Sequence, residues 1–132
     1  MFEWKDIYAV NIDSIDAQHR RLFQLAGELH IATAAGEGQA VLAGILDSLI
    51  QYTALHFAHE EYMMRVHQYP NFAVHKAEHE ALTRRVLQFS EEFNQGHTAI
   101  TFGLLTFLRS WLEKHILQSD HQYAPYVLPK AV

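Results

Sequence analysis

His75-Lys76-Ala77-Glu78-His79 sets two imidazoles four residues apart. On a helix that spacing puts both on one face, one turn above the other, where a metal ion can bridge them. Further donors recur at helical spacing: His56 with Glu60, His115 followed by Asp120, and a single His19 inside Ile15-Asp16-Ala17-Gln18-His19. These sets lie on four separate segments. If the segments are the helices of one bundle, five imidazoles and two carboxylates converge in its middle, enough for about two ions.

At 132 residues the chain suits one domain, long enough to bury a sizeable core without disulfides or zinc clips. A hydrophobic content of 49% agrees with a globular protein. Ten Lys and Arg stand against fifteen Asp and Glu, a net charge of -5 that argues against a nucleic-acid surface or a polybasic membrane contact. Without cysteine there is no disulfide framework, thiol nucleophile or iron-sulfur ligation. Met1-Phe2-Glu3-Trp4-Lys5-Asp6 lacks the basic start and apolar stretch of a signal peptide, and no apolar run approaches the roughly 18 residues that cross a bilayer. A cytoplasmic protein without membrane insertion is therefore expected. Ten histidines are the compositional anomaly.

Residues 1–12 mix aromatic and apolar side chains without helical period, which predicts an extended arm on the bundle, anchored by Trp4. Asp13 and Ser14 are placed to cap a first helix over 14–34 with the stripe Ile15, His19, Leu22, Ala26, Leu29 and Thr33. A second helix over 38–67 carries Leu42, Leu46, Leu49, Thr53, His56, Glu60, Met63 and His67. After the turn at Tyr69-Pro70-Asn71, with Asn71 able to cap, a third helix over 71–94 continues through Phe72, His75, His79, Leu82, Val86, Phe89 and Phe93. The fourth, over 98–119 and starting near Thr98, presents Thr101, Leu105, Leu108, Leu112 and His115. Five residues turn an ideal helix about 140° past one full turn, so Asp120 overshoots this stripe. A π-type bulge or a frayed last turn between His115 and Asp120 is predicted. Pro125 and Pro129 then predict a non-helical tail over 121–132. Short connections make the whole an all-α, up-down-up-down antiparallel four-helix bundle.

A single histidine on an apolar face is ordinarily a hydrogen-bonded core residue. Here five histidines and Glu60 hold stripe positions, and burying them without partners costs about 1–3 kcal/mol each. A metal centre resolves that deficit. Glu60 is preferred to Glu61, which is rotated about 100° away and is expected to face outward. Lys76, Glu78, Glu80, Arg84 and Arg85 read as a solvated face, and His30, His59, His67, His97 and His121 as surface, loop or supporting residues. Phe57, Trp111, Leu112 and Ile116 read as core that also walls a pocket beside the donors. Neither His59-Glu60-Glu61-Tyr62-Met63 nor His79-Glu80-Ala81-Leu82-Thr83 completes a His-Glu-x-x-His zinc motif. No Glu-x-x-His pair occurs, so the carboxylate-rich di-iron pattern of ferritin-like proteins is missing too. A histidine-rich site with two carboxylates suits iron or a similar borderline ion better than magnesium or calcium.

The order His19, His56-x-x-x-Glu60, His75-x-x-x-His79, His115-x-x-x-x-Asp120 resembles the hemerythrin family, and specifically a single-domain bacteriohemerythrin. The resemblance spans nearly the whole chain. It includes Trp4 in the arm, Ile15-Asp16-x-Gln18-His19, Glu60-Glu61 before Met63, and Trp111-Leu112-x-x-His115-Ile116. It implies two iron ions with an oxo or hydroxo bridge, held by His19, His56, Glu60, His75, His79, His115 and Asp120. Glu60 and Asp120 would span both ions, His75, His79 and His115 would hold one, and His19 and His56 the other. It further implies reversible binding of O2, with Phe57, Trp111, Leu112 and Ile116 as the oxygen pocket and Tyr123 as a supporting hydrogen-bond donor. An oxygen carrier or store delivering O2 to an oxygen-consuming enzyme, monomeric and not itself an enzyme, is the expectation. The alternatives are an oxygen or redox sensor acting through a partner, and a peroxidase-like, nitric-oxide-reducing or iron-handling protein.

Overall fold

The computed structural model describes residues 2–97 and 100–128, all helical or irregular. Helix α1 spans Asp13–Ala34, α2 Gln39–Val66, α3 Phe72–Asn94 and α4 Ile100–Lys114. A π turn, His115–Asp120, follows α4 without interruption and leads into a short α5, His121–Val127. Helices α1 and α2, α2 and α3, α3 and α4, and α4 and α1 pack side by side, closing the antiparallel ring that short connections impose. Thr98, the expected start of the fourth helix, and Pro129 of the tail lie outside the described residues.

The starts and stops of the helices follow local chemistry, though not always the residues expected. Ile12 occupies the cap position of α1 and makes no side-chain cap bond, and Asp13 is already helical. Asp16 instead fastens the arm to the first turn of the helix. Its carboxylate reaches back to accept from the Val10 and Asn11 N–H groups at 2.8 and 3.1 Å, across an Asn11 held at φ 64°. Ser14 turns away to meet His59 at 3.0 Å, and Asn71 makes no side-chain cap bond at α3. Helices α1, α2 and α3 end in one motif, with a left-handed residue at Gly36, Gln68 or Gly96. The next N–H then reaches back to the last turn: Glu37 to Ala32, Tyr69 to Met64, and His97 to Glu92.

The apolar stripes form a core between the four helices, with Leu22, Leu29, Leu46, Leu82, Phe93, Leu104 and Leu105 in its interior. Beyond the histidines a second cluster gathers Met64, Tyr69, Tyr123 and Val127. Met64, rather than Met63, is the buried methionine, and His67 is exposed. The expected non-helical tail is thus helical at His121–Val127. Pro125 lies inside that helix, and burial of Tyr123, Ala124 and Val127 overrides its local preference for breaking. The arm is extended except for a 3-10 turn at Asp6–Tyr8. Trp4 sits edge-on to Tyr8 and Phe23, beneath the Arg20 guanidinium, and Tyr8 stacks on Phe23. One further correction concerns α2, whose 28 residues and mean hydropathy of 1.3 over an 18-residue window meet the length and composition of a membrane-crossing helix. Here it is a bundle helix, packed between α1 and α3 and burying His56 and Glu60 against them.

Candidate metal centre

Each of the four long segments delivers its donors inward: α1 His19, α2 His56 and Glu60, α3 His75 and His79, and the π turn His115 and Asp120. All seven side chains are buried, Glu60 and Asp120 completely. In α2 and α3 the donors are one regular turn apart. The predicted bulge is present, and its wider turn lets Asp120, five residues after His115, point inward with it.

The donor atoms meet in two groups, each with its ligand atoms within 4.8 Å of one another: Glu60, His75, His79, His115 and Asp120, and His19, His56 and Glu60. Asp120 spans the gap between them. Its Oδ1 lies 3.1 Å from both His75 Nε2 and His115 Nε2, while its Oδ2 lies 3.1 Å from His19 Nε2. Glu60 Oε1 is 2.7 Å from His56 Nε2 and 3.7 Å from His79 Nε2. Two imidazole nitrogens, His79 Nε2 and His115 Nε2, approach to 3.2 Å.

The His79–His115 contact is a hydrogen bond, but most of the other approaches are not. His19 Nε2, His75 Nε2, Glu60 Oε1 and both Asp120 oxygens are buried without an aligned hydrogen-bond partner. Unsatisfied groups of this kind cost about 1–3 kcal/mol each, and five of them around one point form a cation site in chemical character. The electrostatics agree. Burial opposes ionisation of Asp120, but His115 in particular outweighs it and holds the carboxyl well below the usual range. Burial likewise opposes charge on His115, yet Asp120, Glu60 and Glu78 raise its pKa to about 9. Burial and the charge of His115 and His75 push His79 down to about 3, despite Glu60. Buried together, these groups favour ionised carboxylates with positive charge beside them.

A second set of polar groups holds the outer edges of the imidazoles. Gln18 Oε1 lies 2.7 Å from His56 Nδ1, Glu61 Oε2 2.9 Å from His79 Nδ1, and Glu78 Oε2 2.9 Å from His115 Nδ1. Ser119 Oγ donates to the same Glu78 oxygen at 2.6 Å. Glu61 therefore does not face outward, and Glu78, though still 40% exposed on its solvated face, is also committed to His115. Both corrections have one geometric reason. A residue beside a donor is rotated about 100° around its own helix, and in a closed ring of helices that direction leads to the neighbour's donor. The sequence signal was the position itself, next to His19, Glu60 and His79. Tyr123 Oη donates to Glu60 Oε2 at 2.7 Å, and burial and Glu60 push its pKa well up, so it keeps its proton.

Phe57 stacks on His79 with ring centres 3.8 Å apart, and Trp111 stacks on His115 at 4.2 Å. Between these rings and the main core lies a cavity of about 10 Å³ lined by Leu49, Thr53, Phe57, Leu108, Trp111 and Leu112, among others. That is about the limit for holding one water molecule. Ile116 is buried in the π turn but does not line this cavity.

Residues 10–127 match the family model described as the hemerythrin HHE cation binding domain. The chain is 37% identical over 124 residues to a bacteriohemerythrin of Stenotrophomonas maltophilia (strain R551-3), covering 94% of this chain and 80% of that one. It is 33% identical to a bacteriohemerythrin of Methylococcus capsulatus, over 89% of each. A crystal structure of wild-type hemerythrin superposes with a TM-score of 0.84 at 32% identity, covering 95% of this chain and 96% of that one. On this match of sequence, fold and donor order, the chain belongs to the hemerythrin family.

Proposed function

We propose that His19, His56, Glu60, His75, His79, His115 and Asp120 hold two iron ions sharing an oxo or hydroxo bridge, and that the protein binds O2 there reversibly, as a carrier or store. Seven buried donors in two groups exceed what one six-coordinate ion can use, and the buried nitrogens and oxygens left without hydrogen bonds are what a cation pair would satisfy. His75, His79 and His115 would hold one ion and His19 and His56 the other, with Glu60 and Asp120 reaching both. Paired irons supply two electrons that O2 can borrow and return.

The observation that carries reversible binding over turnover is the wall of the cavity. Thr53 is the one hydroxyl among its lining residues, and it is committed to donating to the Leu49 carbonyl at 2.7 Å. Phe57, Leu108 and Leu112 carry no polar hydrogen and Trp111 only a non-acidic indole N–H, so the lining contains no acid to drive further reduction of O2. Tyr123 is held away from the cavity by Glu60, on the side of the second cluster. The test is anaerobic loading with two ferrous ions per chain, followed by O2 titration and removal. One O2 per ion pair and full return to the deoxygenated spectrum are expected. Continued O2 consumption in the presence of a reductant, without a stable oxygenated form, contradicts the carrier reading.

A further inference from the structure

The outer hydrogen bonds run around the bundle in one direction. Gln18 on α1 backs His56 on α2, Glu61 on α2 backs His79 on α3, and Glu78 on α3 backs His115 in the π turn. The fourth step is missing, since His19 Nδ1 is buried with no hydrogen-bond partner. The backing groups are therefore an amide, two carboxylates and nothing. Both carboxylates serve the group of three histidines, and that unequal distribution is not explained by the donors themselves.

A carboxylate on Nδ1–H fixes the tautomer that turns Nε2 inward and strengthens the imidazole as a donor to a cation, whereas an amide oxygen fixes the tautomer without adding charge. The geometry points to Glu61 and Glu78 as positioning residues that make the two ion positions unequal: the three-histidine position is the tight one because carboxylates back two of its imidazoles, and the His19–His56 position is the weak one. This rests on the two-ion reading above. Three imidazoles against two already favour the first position; the added claim is that the outer charges contribute a separable share.

Calorimetric titration of metal-free protein with cobalt(II) at fixed pH, followed by its visible absorption, tests it without reference to oxygen. Wild type is expected to bind two ions in two steps. Glu61→Gln and Glu78→Gln keep an acceptor on the ring and remove only the charge. Each should weaken the tight step by about 10- to 100-fold and leave the weak step within about threefold. Gln18→Glu adds the missing charge and should strengthen the weak step by about tenfold or more, which holds as a test even if a glutamine variant folds poorly. Two steps that respond equally to both glutamine variants, or not at all, overturn the inference while leaving the two-ion site standing, as does a weak step indifferent to Gln18→Glu. Wild type that takes up fewer than two ions overturns the site and the inference together.

Discussion

Two stretches of this bundle bring a carboxylate to the same point by different routes. In α2, Glu60 follows His56 by four residues of regular helix. After α4, Asp120 follows His115 by five, and a π turn takes up the extra residue. The longer side chain needs no help from the backbone. The shorter one comes with a widened turn and reaches further into the cluster: three histidines approach Asp120 within 3.1 Å, against two that approach Glu60 within 3.7 Å. Backbone irregularity is thus tolerated where it brings the more central carboxylate inward.

That contrast can be broken directly. Asp120→Ala, which removes the carboxylate lying 3.1 Å from His19, His75 and His115, is expected to take iron from two per chain to none. Glu60→Ala should leave at most one ion, with the Tyr123 hydroxyl losing its acceptor. Metal analysis after iron-replete expression checks both, and two irons retained in either variant contradicts the assignment. Next in size is a dependence on pH. With no metal bound, His115 keeps its proton until about pH 9, while Glu60 is ionised well before neutrality. A cation must displace the His115 proton, so its affinity falls as pH falls. It should drop about tenfold per pH unit below 9, or about 100-fold between pH 9 and 7, and level off above 9. A flat profile between pH 7 and 9, measured by cobalt(II) titration, removes the π-turn histidine from the binding step.

The effect on iron content is smallest at Leu112, one turn before His115 and buried against the cavity. Leu112→Ala should cost about 2–5 kcal/mol of stability in denaturant unfolding. By opening a cavity now limited to about 10 Å³, it should also admit water and speed loss of the oxygenated form. Iron content should stay at two per chain. Unchanged autoxidation in a stable, fully loaded variant separates Leu112 from the oxygen pocket.

The same comparison shows what a reader of residues alone can and cannot recover. The bundle and the inward donors are periodic, and periodicity is local: His56 with Glu60 and His75 with His79 repeat at one helical turn. The π turn was visible as a broken rhythm, since no regular helix brings His115 and Asp120 to one face. The backing role of Gln18, Glu61 and Glu78 was not visible, because each serves an imidazole on the next helix and that direction exists only once the ring has closed. Helix α5 escaped for a related reason. Pro125 is a local signal for breaking, and the burial of Tyr123 and Val127 that overrides it is tertiary. Asp16 escaped as the residue that fastens the arm because its partners, the Val10 and Asn11 N–H groups, lie before its own helix.

The most direct measurement is the metal content of protein expressed with ample iron, coupled to a count of azide bound to the oxidised form. Two six-coordinate ions have twelve positions. In the proposed site a bridging oxygen would take two, two carboxylates shared by both ions would take four and five imidazoles five, which would leave one open. Two irons per chain and one azide per iron pair are the predicted result. One tightly held ion per chain, or two azides per pair, contradicts the account.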